Sequence, residues 1–309
     1  MKIVFLDAIT IGDDVSLKAF DAFGEFVTYP TTPKDKIVGR IGDAQVVLTN
    51  KVVIDSEVMD RCPQMRLICI TATGMNNVDL DYAAKKGIEV KNAAGYSTSS
   101  VTQMTFTLAL YLIAQSSFYD GFVKSGDWSK SGLFTNVERP FFELKGKKWG
   151  IIGFGNIGKN VAKVADAFGA HVSYYSTSGA NNDSSYTRME LGEMLQTCDV
   201  ISIHAPLNKK TLGLIKKPQL ELMKKGAILL NLGRGGIVDE ADLAYAIDNY
   251  GILAGIDVVV TEPIEADNKL LHVKNKDNLV MSPHIAWASR EARIELMKIV
   301  AQNIKDYIS

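Results

Sequence analysis

Residues 149–176, WGIIGFGNIGKNVAKVADAFGAHVSYYS, constrain the fold of this chain more than any other stretch. The apolar run WGIIGF reads as a strand buried on both faces. It leads into Gly153-Phe154-Gly155-Asn156-Ile157-Gly158, a complete GxGxxG. Ile157, Val161, Val164, Ala165 and Phe168 then recur at helical spacing, Gly169 closes that helix, and a second strand opens at His171. A GxGxxG alone is a weak signal. Between a strand and a helix of one βαβ unit it is a dinucleotide-binding fingerprint. Gly153 permits the tight turn, Gly155 lets the backbone approach a pyrophosphate, and Gly158 lets helix meet sheet. The N–H groups of Asn156 and Ile157 then face phosphate, with the positive end of the helix behind them. The expectation is a bound NAD or NADP.

The residue that normally reads the ribose departs from pattern. An Asp or Glu is expected about 20 residues past the glycines, at the end of the second strand. Ser176 stands there, followed by Thr177 and Ser178, and no acid occurs between Asp166 and Asp183. No Lys or Arg lies between Lys163 and Arg188 either. The carboxylate that repels a 2′-phosphate is missing, and no cation has plainly replaced it. Ser176 and Thr177 are therefore the candidate ribose contacts, and use of both cofactors is the expectation.

The rest of the chain repeats the strand–helix alternation. With 309 residues, about two domains are expected. Segments 2–7, 45–50, 67–73 and 88–92 are strand candidates in the first part, with helices at 15–23 and 56–61 and Asp55 as an N-cap. Segment 98–114 reads as a core helix joining two lobes. From Lys148 onward, strands at 149–154, 171–175, 200–205, 227–232, 251–259 and 278–282 alternate with helices at 157–168, 189–196, 218–223 and 240–249. A last amphipathic helix covers 289–308. Such alternation argues for parallel α/β sheets. Lys+Arg is 34 against Asp+Glu 35, which gives no footprint for nucleic acid or an anionic membrane. No apolar run is long enough to span a bilayer. Cys62, Cys69 and Cys198 form no CxxC, which predicts reduced thiols, a cytoplasmic setting and no metal site. Residues 118–142 carry Phe118, Tyr119, Phe122, Trp128, Phe134, Phe141 and Phe142, against 8% aromatics in the whole chain. That enrichment points to a subunit interface, the other reading being an irregular loop packed on its own core.

Polar residues gather at strand ends. Of the four histidines, His171 begins a strand and His272 lies in a polar stretch, whereas His204 and His284 each follow a strand end. Open α/β sheets bind ligands at that edge, and an imidazole is the natural proton donor near neutral pH. Arg234 lies in the Gly-flanked turn NLGRGGIVDE, its forked guanidinium suited to a carboxylate. Glu262 follows another strand end in IDVVVTEP.

Over nearly its whole length the sequence resembles the D-isomer-specific 2-hydroxyacid dehydrogenases. The resemblance rests on ATGMNNVDL (72–80), GYSTSSVTQMTF (95–106), GFGNIG (153–158), HAPLNKKT (204–211), NLGRGGIVDE (231–240), IDVVVTEP (256–263) and PHIAWAS (283–289). ATGMNNVDL, GYSTSSVTQMTF and PHIAWASREAR look most like the glycerate dehydrogenase or hydroxypyruvate reductase group, with Trp287 the most telling residue. The resemblance implies that Arg234, Glu262 and His284 are the catalytic Arg, Glu and His. It implies further cofactor contacts from His204, Ala205, Pro206, Thr211, Leu232, Gly233, Asp257 and Ala286, beside Gly153, Gly155, Asn156, Ile157, Gly158, Ser176 and Thr177. Substrate would meet Arg234, His284 and the backbone around Thr73, Gly74 and Met75. The implied architecture is a Rossmann-type doubly wound cofactor domain (97–285) inserted in a discontinuous flavodoxin-like α/β substrate domain (1–96 and 286–309). The implied assembly is a homodimer through the cofactor domain and 118–142. Ser176 in place of Asp, and Met104 where many members have His, depart from the family pattern.

These readings predict NAD(P)-dependent reduction of a small 2-keto acid, hydroxypyruvate or glyoxylate, by hydride transfer. His284 would protonate the keto oxygen, Glu262 would hold the imidazole and favour its charged form, and Arg234 would grip the carboxylate. Substrate is expected between the lobes. The rival readings are a formate- or phosphite-type dehydrogenase on the same fold and a non-catalytic NAD(H)-sensing corepressor.

Overall fold

Apolar runs separated by helices favour parallel pairing, and every strand pair of the computed structural model, which describes residues 1–309, is parallel. The strands form two sheets in two units. One unit is Met1–Ser97 together with Trp287–Ser309, and the other is Thr98–Ala286.

The discontinuous unit holds β1 (Lys2–Phe5), β2 (Glu25–Thr28), β3 (Val46–Thr49), β4 (Leu67–Ile70) and β5 (Glu89–Lys91) in the flavodoxin-like order β2-β1-β3-β4-β5. Side chains alternate across the sheet, as the twofold period of a strand requires. Ile3, Phe5, Val46, Leu48, Leu67 and Cys69 face one side, where Leu296, Met297, Val300 and Ile304 of the terminal helix Arg290–Ile308 cover them. Val4, Val47, Ile68 and Ile70 face the other, with Ile41, Val58, Met59 and Ala83 from the helices there. Asp55 caps its helix as expected, its Oδ1 accepting the Val58 N–H at 3.0 Å. The helix read at 15–23 is instead a 3₁₀ run at Lys18–Phe23, which Gly24 ends after six residues. β2 escaped the sequence reading because it is an edge strand with no residue fully buried, so its alternation is faint.

The continuous unit holds β6 (Lys148–Ile152), β7 (His171–Tyr175), β8 (Thr187–Arg188), β9 (Val200–Ile203), β10 (Ile228–Asn231), β11 (Leu253–Ile256) and β12 (Leu279–Met281). Their order, β12-β11-β10-β9-β6-β7-β8, is the doubly wound Rossmann arrangement. β8 has only two exposed residues, too few to leave a hydrophobic pattern. The helix Thr98–Ile113 buries Val101, Thr105, Phe106, Leu108 and Leu112. Residues 118–142 are not one irregular loop. Part of the helix Ser116–Lys124, which buries no residue, and the helix Asp127–Ser131 lie within them. Phe134 is 91% exposed and Phe141 65%, so these aromatics build no core of their own. The three cysteines are free and buried, and burial pushes the Cys69 thiol up to about 12. No helix is long and apolar enough to cross a membrane.

Leu296 is fully buried beneath the first sheet. We predict that Leu296→Ala destabilises this unit by about 2–5 kcal/mol, the usual cost of a Leu-sized cavity. Urea titration checks this, and an unshifted midpoint would show that the helix contributes little to the core.

Candidate active site

In a parallel sheet all strands end on the same side, so the loops after β6, β9, β10, β11 and β12 gather along one edge of the continuous unit. The strand order reverses between β6 and β9, and the crevice outside such a switch point is where ligands enter open α/β sheets. The two loops meet closely there. Gly153, at φ +91°, lies so near Ala205 that a Cβ would stand 2.7 Å from its backbone nitrogen. A Cβ at Gly158 would stand 2.3 Å from the Gly153 carbonyl oxygen, so this glycine lets the helix Asn156–Ala167 start directly on the turn.

Gly155 differs from both. Its φ of −83° is open to any residue, and a Cβ there would meet nothing within 4 Å. It is the N-cap of the helix, yet no side chain caps the first turn. The free N–H groups of a first turn need partners, and the space before them is left open by the missing Cβ. A pyrophosphate satisfies both conditions, so the residues present fit a dinucleotide.

The candidate acid–base pair is assembled at the far strand ends. His284 Nδ1 lies 2.7 Å from Glu262 Oε2, and the histidine side chain is 22% exposed. His284 is held at φ +54°, a left-handed backbone uncommon outside glycine. Asp257 holds it there. The Asp257 carbonyl accepts the His284 N–H at 2.8 Å. Its carboxylate accepts from Ser282 Oγ (2.6 Å), the Ile285 N–H (2.9 Å) and the Ala286 N–H (3.0 Å). Asp257 is therefore directed into the loop that carries His284. Ser100 Oγ donates to the Ala286 carbonyl at 2.6 Å and fixes the end of that loop.

The turn bearing Arg234 has its own brace. Asn231 Nδ2 donates to the Arg234 carbonyl at 3.0 Å, and its Oδ1 accepts the Gly233 N–H at 3.2 Å. Sequence reading missed Asn231, though an Asn ending a fully apolar strand was a visible signal. Arg234 Nη1 donates to the Gly233 carbonyl at 2.8 Å. Gly235 brings this turn against the loop after β11, where a Cβ would overlap the Val259 carbonyl.

His204 sits at the end of β9, but burial pushes its imidazole down to about 3 and neither ring nitrogen has a partner. Desolvation therefore disfavours its charged form, which speaks against it as the imidazolium that donates the proton. His272, which lies in a polar stretch, is exposed, with its Nε2 3.0 Å from the Ala266 carbonyl oxygen. Thr211 is wholly buried, its Oγ1 donating to the Pro206 carbonyl at 2.6 Å, so it shapes the loop that starts with Ala205 and Pro206. Leu232 and Ala286 are buried beside Gly233 and Asp257 along the same edge.

After β7, Ser176 is buried and its Oγ accepts the Asn181 N–H at 3.2 Å, while Thr177 is half-buried. Arg188 Nη1 donates to the Gly179 carbonyl at 3.2 Å, which puts a cation on the loop where the sequence showed none. Lys159 pairs with Asp183 at 3.0 Å and holds that carboxyl below its usual range. Thr73, Gly74 and Met75 belong to the other unit, on the loop after β4. There Thr73 Oγ1 donates to the Ala93 carbonyl at 3.0 Å and Asn92 Nδ2 to the Thr73 carbonyl at 2.7 Å.

Residues 106–286 match the NAD binding domain of the D-isomer specific 2-hydroxyacid dehydrogenases. The chain is 38% identical to a hydroxypyruvate reductase of Blautia hydrogenotrophica, covering 100% of this chain and 97% of that one. It is 34% identical to a glycerate dehydrogenase of Methylorubrum extorquens, covering 100% and 96%. Among solved structures, a D-lactate dehydrogenase of Aquifex aeolicus complexed with NAD and lactic acid superposes with a TM-score of 0.83 at 26% identity, over 99% of this chain and 95% of that one.

The glycines give a prediction that separates folding from binding. Gly155→Ala should leave the melting temperature unchanged and weaken NADH binding at least tenfold, about 1.4 kcal/mol. Gly158→Ala should lower the melting temperature as well. Fluorescence titration and thermal melts check both. Unchanged affinity in Gly155→Ala would mean that no phosphate lies before this helix.

Proposed function

We propose that this chain, which belongs to the D-isomer specific 2-hydroxyacid dehydrogenases, reduces small 2-keto acids, hydroxypyruvate or glyoxylate, with NADH or NADPH. The observation that carries the reading is the His284–Glu262 pair, 2.7 Å apart at the same sheet edge as the uncapped glycine turn. The reduced nicotinamide, when bound, supplies the hydride. His284 donates the proton to the keto oxygen as charge develops there. A carboxylate on Nδ1 fixes the orientation of the ring and leaves Nε2 free to face the substrate. Arg234 takes the substrate carboxylate and polarises the ketone. Thr98–Ala286 is the cofactor domain in this reading, and the discontinuous unit is the substrate domain. The exposed Trp128, Leu133, Phe134 and Phe141 support a homodimer through 118–142. The buried free thiols support a cytoplasmic setting.

Two expected outcomes test the chemistry. His284→Ala should lower kcat for hydroxypyruvate reduction by ~100-fold or more, with nucleotide affinity little changed. Glu262→Gln should move the alkaline limb of that reduction to lower pH. Reduction consumes a proton held on His284, and the amide removes the negative charge that faces the ring at 2.7 Å. Steady-state kinetics across the acid and alkaline limbs reads both. A His284→Ala enzyme near wild-type turnover, or a limb that moves upward in Glu262→Gln, contradicts the assignment.

The cofactor prediction rests on the ribose end. Ser176 offers no charge, and Arg188 is engaged with carbonyls of the same loop. The two cofactors should differ in kcat/KM by less than about 100-fold. Ser176→Asp should shift preference toward NADH, because a carboxylate repels the 2′-phosphate. A wild-type preference above roughly 1000-fold, or no shift in Ser176→Asp, would sink this reading.

A further inference from the structure

We infer that Glu240 is a positioning residue for the proton-transfer pair: its carboxylate clamps both ends of the loop that carries Glu262, and so holds Glu262 within hydrogen-bond distance of His284. The inference rests on the reading of Glu262 and His284 as that pair.

The loop after β11 needs such a clamp. From Thr261 to Asp267 only Ile264 is even half-buried, so core packing does little to fix the segment. Glu240 opens the helix Glu240–Asn249, six residues beyond Arg234 in NLGRGGIVDE. An acid there is ordinarily a surface charge facing the helix dipole. Here both carboxylate oxygens leave the helix. Oε1 accepts the Val260 N–H at 2.6 Å, and Oε2 accepts from Asn268 Nδ2 at 2.6 Å. Asn268 is itself anchored, its Oδ1 accepting the N–H of the buried Leu270 at 3.0 Å. The two ends of the exposed segment, 260 and 268, thus meet on one carboxylate.

Within that segment Glu262 divides its own oxygens. Oε1 accepts the Val259 N–H at 3.4 Å, and Oε2 meets His284 at 2.7 Å. The Val259 carbonyl presses on Gly235 of the arginine turn. One short stretch therefore joins Arg234, Glu240 and Glu262. The neighbouring charges are engaged elsewhere. Asp239 accepts the Ala241 and Asp242 N–H groups, Asp242 accepts the Lys217 N–H, and Asp257 serves the His284 loop. His272 adds a separate contact at Ala266.

The test compares Glu240→Ala, Glu240→Gln and the double variant Glu240→Gln/Asn268→Asp with Glu262→Gln. An amide in place of the Glu240 carboxylate still accepts from Val260 but turns a donor toward Asn268. The second substitution, Asn268→Asp, gives that donor an acceptor and keeps the bond to Leu270. Glu240→Ala should lose about tenfold or more in kcat, the scale of a displaced reacting group. Its alkaline limb should move to lower pH, in the same direction as that of Glu262→Gln, while NADH affinity holds. The double variant should recover the wild-type limb from the shifted one of Glu240→Gln. If Glu262→Gln moves the limb and Glu240→Ala does not, the positioning role is overturned alone. If neither moves it, the proton-transfer pair itself is wrong and this inference falls with it. Should Glu240→Ala not fold, Glu240→Gln and the double variant decide: recovery of the limb supports the clamp, and equal profiles overturn it.

Discussion

Parallel pairing in the seven-stranded sheet is the constraint on which everything else in the site depends. Because every strand runs the same way, Gly153, His204, Arg234, Asp257 and His284 all leave the sheet at one edge, although they are spread over more than a third of the chain. An antiparallel sheet would scatter the same residues to opposite ends. The reversal of strand order between β6 and β9 then opens the crevice in which a dinucleotide fits.

Strand ends alone give an approximate address. Carboxylates and one amide refine it. Asp257 satisfies three donors from the loop of His284, which keeps a left-handed histidine in place. Asn231 does the same for the turn of Arg234, and Glu240 for the loop of Glu262. Hydrogen bonds to an ionised acceptor are stronger than neutral ones, and a buried carboxylate such as Asp257 must be fully satisfied. The loops of Arg234, Glu262 and His284 are thus each braced by another polar side chain.

The two candidate histidines show how burial separates identical side chains. His204 and His284 both follow strand ends, and residue type cannot rank them. His204 lies where desolvation with no compensating partner penalises the imidazolium. His284 has a carboxylate at 2.7 Å and some solvent.

The sequence by itself determined the parallel α/β class and the tight glycine turn, and it supplied Arg234, Glu262 and His284 as candidates. The class and the turn depend on local periodicity and on close approaches that a Cβ would block, both written in consecutive residues, whereas the candidates came from strand ends and from the resemblance. It also showed the missing acid at Ser176. Only the tertiary structure showed the desolvated surroundings of His204, the bonds from Asp257 to the loop of His284, the bond from Arg188 to the Gly179 carbonyl, and Asn231 and Glu240 as braces. The edge strands β2 and β8 also became visible only there. These depend on burial and on contacts between residues far apart in the chain, such as Glu240 with Asn268 or Asp257 with Ser282. Such pairings leave no periodic trace, because the chain places them only after the sheet has brought its strand ends together.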